Sequence, residues 1–92
     1  MRARAHVVVS GDVQGVFFRQ ETKREAEAHR VHGWVRNRGD GAVEAVFEGE
    51  EQDVKALIAF CKRGPLRAKV ATVDGKCENF TGEFNDFKIL YA

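Results

Sequence analysis

The chain reads Ser10-Gly11-Asp12-Val13-Gln14-Gly15-Val16-Phe17-Phe18-Arg19 near its start, and this stretch separates a predicted strand from a predicted helix. Before it, Ala5, Val7 and Val9 share one face of residues 3–9, which predicts the strand. After it, residues 16–30 contain many good helix formers and no Gly or Pro, which predicts the helix. The chain therefore begins as a strand, a tight loop and a helix.

A hairpin and a second helix are predicted next. Strands are expected at 34–37 and 43–48, and Asp40-Gly41 between them is a strong signal for a hairpin turn. Apolar side chains then recur at positions 54, 57, 58 and 61. This spacing is typical of a helix, and Gly64-Pro65 ends it.

Two further strands complete the predicted order. One covers residues 70–73 and continues towards Cys77, and the other covers residues 84–91. The order is β-α-β-β-α-β plus a closing strand. It predicts an α+β fold, the ferredoxin-like split βαβ sandwich, with two helices on one face of a mostly antiparallel sheet.

The composition indicates one small globular domain that covers residues 1–92. Hydrophobic residues make up 43% and charged residues 32% of the chain, and the formal net charge is +1. This balance argues against a general nucleic-acid binder and against a membrane-surface helix. No apolar run approaches the ~20 residues that span a bilayer. We therefore expect a monomeric cytoplasmic protein that binds neither nucleic acid nor membrane.

The loop at residues 10–19 has the features of a small anion site. Gly11 and Gly15 permit a tight turn that aims successive backbone N–H groups at one point. The helix that follows adds unpaired N–H groups and a partial positive charge. Arg19 lies near the first turn, and its guanidinium can bind two oxygens of one anion. From these residues alone, an ordinary loop without a ligand remains an alternative.

Asn37 stands just before the tight turn of the hairpin. Its amide either caps that turn or holds a water molecule at the strand end. The residues alone leave both interpretations open.

We expect neither a metal site nor a disulfide scaffold. His29 and His32 are three residues apart, but no cysteine or acidic residue accompanies them at ligand spacing. Cys61 lies on the apolar stripe of the second helix and is expected in the core, and Cys77 is expected to be inert.

Several short motifs run in order almost from one end of the chain to the other: Gly11-x-Val13-Gln14-Gly15-Val16-x-Phe18-Arg19, Gly33-Trp34-Val35-Arg36-Asn37, Asp40-Gly41-x-Val43-Glu44, Glu48-Gly49, Gly64-Pro65, Ala68-x-Val70 and Phe87-x-Ile89. Together they resemble the acylphosphatase family, for which the first of them is highly specific. The fold of that family is the ferredoxin-like sandwich that the order of strands and helices predicts.

The resemblance implies hydrolysis of the carboxyl-phosphate bond of small-molecule acyl phosphates to a carboxylate and inorganic phosphate. It assigns the binding of phosphate, or of sulfate in its place, to these loop residues and to one arginine: Gly11, Asp12, Val13, Gln14, Gly15, Val16 and Arg19. It assigns the positioning of the attacking water to Asn37. Arg19 and Asn37 are thus the expected catalytic residues, and no metal or cofactor is expected.

The sequence departs from the family pattern at two places. The family usually carries a Leu-Gly-Leu-like stretch before its Gly-Trp-Val motif, where this chain has His29-Arg30-Val31-His32. The first helix therefore lacks its usual C-terminal glycine, and we expect a less sharply built corner. Asp12 places a carboxylate in the loop, and we expect it to point to solvent.

Three alternatives accompany this interpretation. The first is a non-catalytic module that binds phosphate or an acyl phosphate, although a binder has no use for a water-orienting Asn37. The second is the acylphosphatase-like domain found at the start of hydrogenase-maturation carbamoyltransferases, whose zinc-finger segments would need Cys-x-x-Cys motifs that this chain lacks. The third is a nucleic-acid-binding ferredoxin-like domain, against which the near-neutral charge argues.

Overall fold

The computed structural model describes residues 1–91 of the chain. Its elements follow in the order β1 (Arg2–Asp12), α1 (Phe18–Ala28), β2 (His32–Asn37), β3 (Val43–Glu50), α2 (Glu51–Arg63), β4 (Lys69–Glu78) and β5 (Phe87–Leu90). Within the described residues, no helix has the length and apolar character needed to cross a membrane.

The five strands form one sheet in the order β4-β1-β3-β2-β5. Neighbouring strands are antiparallel except β2 and β5, which are parallel. Both helices pack on the sheet and against each other. The predicted α+β, ferredoxin-like arrangement is therefore confirmed, including the closing strand.

The core lies between the sheet and the two helices. Alternate residues of β1, namely Ala5, Val7 and Val9, are buried, as their spacing predicts. Helix α2 contributes Leu57 and Cys61 to the same core. The rings of Phe47 and Phe87 stack 5.8 Å apart and join β3 to the closing strand.

Strand β1 is longer than the sequence predicts, and this changes where the loop begins. It runs to Asp12, so that Gly11 pairs with Val70 and Asp12 pairs with Lys69 across a register shift at Ser10. Gly11 has a φ of 128°, and a Cβ at this position would collide with the Lys69 carbonyl. The glycine is therefore required by the close approach of β4, and the loop proper starts at Val13.

Other element boundaries also differ from the prediction. Helix α1 begins at Phe18 and not at Val16, because Gly15 and Phe17 have positive φ angles that a helix does not permit. The closing strand begins at Phe87 and not at residue 84.

The corner after helix α1 is complete although it lacks glycine. Arg30 takes the left-handed conformation with a φ of 57°. Its N–H donates to the Glu27 carbonyl at 3.2 Å, and the Val31 N–H donates to the Ala26 carbonyl at 2.8 Å. This is the Schellman pattern. The corner is therefore as tightly built as one with glycine, contrary to the prediction. The absence of glycine has one cost, which is that Arg30 must adopt a left-handed conformation.

A cluster centred on Arg4 and Glu48 holds the segment after β4 against the sheet. Arg4 lies directly opposite Glu48 on β3 and Glu78 on β4. Its guanidinium binds Glu48, Glu78 and Glu83 at 2.9, 2.8 and 2.9 Å. Glu48 also accepts hydrogen bonds from the Thr81 N–H and hydroxyl and from the Gly82 N–H. We call these residues the Arg4 cluster.

Candidate active site

The loop between β1 and α1 offers a row of backbone donors. Gly15 and Phe17 have φ angles of 75° and 63°. Left-handed residues of this kind turn nearby N–H groups towards one point and can form an anion-binding concavity. Within residues 1–91, no backbone N–H of residues 13–20 donates a hydrogen bond to another residue. These donors are available to a ligand.

A cavity of about 140 Å³ lies at this loop. Its lining comprises Val13, Gly15, Phe17, Phe18, Arg19, Gln20 and Asn37. Two elements that are far apart in sequence, the start of α1 and the end of β2, thus meet at one small space. Arg19 and Asn37, the two predicted catalytic residues, both line it.

Arg19 brings a positive charge to the cavity. Within the described residues, no carboxylate forms an ion pair with it. Its guanidinium carbon lies 5.1 Å from the centre of the Tyr91 ring, which is a cation–π contact. The Tyr91 ring covers one face of the Arg19 guanidinium, and the N–H donors at the edge of the guanidinium stay available to an anion.

Asn37 is the last residue of β2 and pairs with Val43 across the hairpin. It faces the helix side of the sheet, as Val35 does two residues earlier. Its Oδ1 is buried and accepts no hydrogen bond within the described residues. A buried acceptor without a partner costs about 1–3 kcal/mol. The amide therefore does not cap the turn through this oxygen; instead, the Ala42 N–H is bound by Asp40 Oδ1 at 3.1 Å.

Gln14 connects the two halves of the site. Its Nε2 donates to the carbonyls of Arg38 and Ala42 at 2.8 and 3.0 Å. Arg38 follows Asn37 directly, so this bond pair holds the loop at a fixed distance from the strand end that carries Asn37. The Gln14 side chain is thus occupied by the hairpin and leaves only its backbone N–H for a ligand.

Some predicted phosphate-binding residues do not line the cavity. Gly11 and Asp12 belong to strand β1 and pair with β4, and the Asp12 side chain is exposed, as expected from the sequence. Gln14 and Val16 belong to the loop, but their side chains lie outside the cavity lining. Phosphate contact by these residues stays a prediction.

Three residues near the cavity were not predicted to be part of the site. Phe17 and Gln20 line the cavity, and Tyr91 contacts Arg19. As a large apolar residue, Phe17 would ordinarily be expected in the core, but it is 63% exposed. Proximity to the glycine loop was the available signal for Phe17, whereas no local signal connects Tyr91 with Arg19.

The histidines and cysteines take part in other contacts. His29 Nδ1 lies 3.4 Å from Asp53 Oδ1, and His32 Nδ1 lies 3.2 Å from the carbonyl oxygen of Phe84. Within residues 1–91, no group of three or more His, Cys, Asp or Glu side chains is placed to hold a metal ion. Cys61 is buried, as predicted, and burial raises the pKa of its thiol to about 12. Cys77 is exposed.

Comparison with known proteins identifies the family. The sequence profile of the acylphosphatases matches residues 5–89. The chain is 54% identical over 90 residues to the acylphosphatase of Pelotomaculum thermopropionicum, and the match covers 98% of both chains. The chain belongs to the acylphosphatase family. Identity of this extent shows that its activity is that of an acylphosphatase, a hydrolase.

Solved structures agree with this assignment. An acylphosphatase from Coxiella burnetii superposes with a TM-score of 0.92 at 36% identity, covering 97% of this chain and 93% of that one. The fold also occurs inside a larger protein, full-length HypF, with a TM-score of 0.84 at 26% identity. That match covers 99% of this chain but 12% of HypF. The separate acylphosphatases, which match in length, are the better comparison.

Proposed function

We propose that the cavity between the loop and Asn37 is the active site, where the carboxyl-phosphate bond of an acyl phosphate is hydrolysed. One observation supports this most directly. The N–H groups of residues 13–20 have no partner within the described chain, and Arg19 and Asn37 line the same cavity. A phosphoryl group carries the oxygens that these donors lack. Arg19 and the N–H groups of Val13 to Val16 bind it, while Gly11 and Asp12 fix the strand end from which the loop starts.

The chemistry of an acyl phosphate requires little from the protein. Its leaving group is a carboxylate, which is already stable as an anion, so no strong general acid is needed. The water oxygen bonds to phosphorus, the bond from phosphorus to the carboxylate oxygen breaks, and its electron pair leaves with the carboxylate. A proton of the water passes to a phosphoryl oxygen. The transition state spreads charge over the equatorial oxygens, where fixed N–H donors and one guanidinium stabilise it.

Asn37 orients the attacking water. An amide is not basic at pH 7, so the residue acts by holding the water in line with the bond that breaks. Its Oδ1 accepts no hydrogen bond within the described residues, and a water held in the cavity would be the partner that this oxygen lacks. In this role aspartate is a poor substitute for asparagine, since a second anion would repel the phosphoryl group.

The proposal includes independence from metals and cofactors. It rests on the reaction itself, because the arginine and the N–H donors supply the positive potential that a metal would otherwise provide.

The test is hydrolysis of benzoyl phosphate, with EDTA present, by the wild type, Arg19→Ala and Asn37→Ala. Arg19→Ala is expected to weaken inhibition by inorganic phosphate and to lower kcat together, because one group serves both binding and chemistry. Asn37→Ala is expected to keep phosphate affinity and to lower kcat by about 10²-fold or more. Matched controls are Arg24→Ala and Asn85→Ala, which truncate exposed residues of the same types.

Each contrary result has a definite meaning. Undiminished turnover in Asn37→Ala would remove the water-positioning role. Loss of wild-type turnover in EDTA, restored by a divalent cation, would remove metal independence. A wild type that binds inorganic phosphate through Arg19 without turnover would leave only the binding module, which the family assignment does not favour.

We further infer that the chain works as one monomeric domain in the cytoplasm and acts on a small molecule. A single core shared by both helices supports the single domain. The net charge of +1 argues against nucleic acid or an anionic membrane as partner. Two free cysteines are typical of a reducing compartment.

A further inference from the structure

We infer that a groove next to the cavity binds the acyl part of the substrate, and that Phe17 and Leu66 select apolar, flat acyl groups. The groove has a volume of about 280 Å³ and is lined by Val16, Phe17, Glu21, Pro65, Leu66 and Arg67. This inference rests on the proposed function, since it concerns the other end of the same substrate.

The size of the cavity places the acyl group outside it. The cavity measures about 140 Å³, below the ~300–1,000 Å³ of pockets that enclose whole ligands. The phosphoryl group and the attacking water occupy this space in the proposed reaction. The carbon skeleton of the acyl group must therefore extend over a neighbouring surface.

Phe17 belongs to both spaces. Its side chain lines the cavity and the groove, so it forms the wall between them. An acyl group bonded to a phosphoryl group in the cavity would lie next to this ring. Phe17 also has a φ of 63°, which is unfavourable for a residue with a Cβ. Residues in such conformations cluster at ligand sites, where the strain holds a side chain in its working position.

The groove is apolar and exposed where the acyl group would rest. Phe17 is 63% exposed and Leu66 is fully exposed, although both are large hydrophobic residues. Val16 and Pro65 complete an apolar surface between them. A ligand that covers this surface removes it from water, which favours apolar acyl groups. An aromatic acyl group gains further from contact with the Phe17 ring.

The charges at the groove do not favour an anionic acyl group. Arg67 and Glu21 lie on the same lining and carry opposite charges. Glu21 forms an ion pair with Arg24, with 3.5 Å between Oε2 and Nη1. Arg67 is exposed, so solvent and salt screen its charge. The net potential is small, so the apolar walls decide the selectivity.

The experiment compares benzoyl phosphate with acetyl phosphate, which share the phosphoryl group and differ in the acyl group. The measured ratio is kcat/KM for benzoyl phosphate divided by kcat/KM for acetyl phosphate. The ratio of each variant is then compared with that of the wild type. This cancels the intrinsic difference between the substrates. Phe17→Ala is expected to lower the ratio about tenfold and Leu66→Ala about threefold.

A second measurement separates acyl selectivity from damage to the loop. Leu66 is remote from the loop in sequence, so Leu66→Ala is expected to keep the inhibition constant of inorganic phosphate within about twofold. The matched control is Phe80→Ala, an exposed aromatic residue that contacts Arg2 at another part of the surface. It should leave the ratio unchanged.

Two outcomes would overturn the inference while leaving the proposed function intact. One is an unchanged ratio in both groove variants while the wild type turns over normally, which leaves the proposed function intact. The other is faster hydrolysis of succinyl than of benzoyl phosphate, lost in Arg67→Ala, which would show selection by charge. Absence of turnover of every acyl phosphate by the wild type would overturn the proposed function, and this inference with it.

Discussion

The polar groups near the two ends of strand β1 differ in whether they have hydrogen-bond partners. Near the start of β1 lies the Arg4 cluster. There Glu48 accepts hydrogen bonds from Arg4, Thr81 and Gly82, and Arg4 forms ion pairs with three carboxylates. Beyond the end of β1, the N–H groups of residues 13–20 have no partner within the described chain, and the Asn37 oxygen has none either. One strand thus connects a saturated network to an unsaturated site.

The difference indicates what each region does. A buried polar atom without a partner, such as Asn37 Oδ1, lowers stability, and a bound water or ligand would supply the partner. A network in which the buried carboxylate of Glu48 is fully hydrogen-bonded stabilises the fold. Changes in the Arg4 cluster should therefore affect unfolding, whereas changes around the loop should affect catalysis.

The largest stability effect is expected at Glu48. Its side chain is 2% exposed, and Glu48→Gln removes the charge that Arg4 faces. We expect a loss of about 2 kcal/mol in the free energy of unfolding, which lowers Tm by about 8–16 °C. The value of kcat should stay unchanged. Urea denaturation and benzoyl phosphate hydrolysis measure the two quantities.

Glu83→Gln is the matched control for this prediction. Glu83 also lies 2.9 Å from the same Arg4 nitrogen, but its side chain is 55% exposed. Exposed ion pairs contribute about 0–1 kcal/mol, so this variant should remain close to the wild type. Equal effects of the two variants would contradict the view that burial makes Glu48 important.

The pH dependence of stability follows from the same residue. Burial alone would raise the pKa of Glu48, but its hydrogen bonds with Arg4, Thr81 and Gly82 outweigh this and lower the pKa below the ordinary 4.5. The folded state then binds fewer protons than the unfolded state. The contribution of Glu48 is present above about pH 4.5 and is lost as the pH falls through the lower pKa of the folded state. Glu48→Gln should therefore lose less stability than the wild type over that range.

A smaller effect is expected at Gln14, on the catalytic side of the comparison. Gln14→Leu removes the two bonds to the Arg38 and Ala42 carbonyls, both of which keep backbone donors of their own. Stability should fall by only about 1 kcal/mol. The loop is then less firmly fixed relative to Asn37, and we expect kcat to fall about tenfold.

The matched control is Gln52→Leu, which makes the same change at an exposed position in the first turn of α2. If Gln14→Leu reduced stability by several kcal/mol and left kcat intact, the bond pair would belong with the Arg4 cluster and the comparison would fail.

The sequence was sufficient for the fold, since periodicity places Ala5, Val7 and Val9 in the core. The family motifs also singled out Arg19 and Asn37, which line one cavity, and their catalytic roles stay a prediction. The sequence was insufficient where the pairing of distant strands determines the local structure. Gly11 is indistinguishable in sequence from a loop glycine, but β4 draws it into the sheet.

The contacts of side chains between distant segments were equally hidden. The sequence gives no sign that the Gln14 amide reaches the hairpin or that Tyr91 stacks on Arg19, because these contacts depend on tertiary placement. Phe17 is exposed and has a positive φ angle, and its residue type predicts neither property.

The smallest expected effect concerns that kind of backbone strain. Helix α1 has a left-handed residue at each end, Phe17 before it and Arg30 after it, with φ angles of 63° and 57°. Around Arg30 the Schellman bonds are complete, and a glycine could form the same backbone bonds without the steric cost of a Cβ. Arg30→Gly should raise the free energy of unfolding by about 0.5–1 kcal/mol, and Tm by several degrees, with no change in kcat. Arg30→Ala keeps the strained φ and should give no gain. Stabilisation by both variants would place the cost in the arginine side chain, whereas stabilisation by glycine alone would place it in the left-handed backbone conformation at this end of α1.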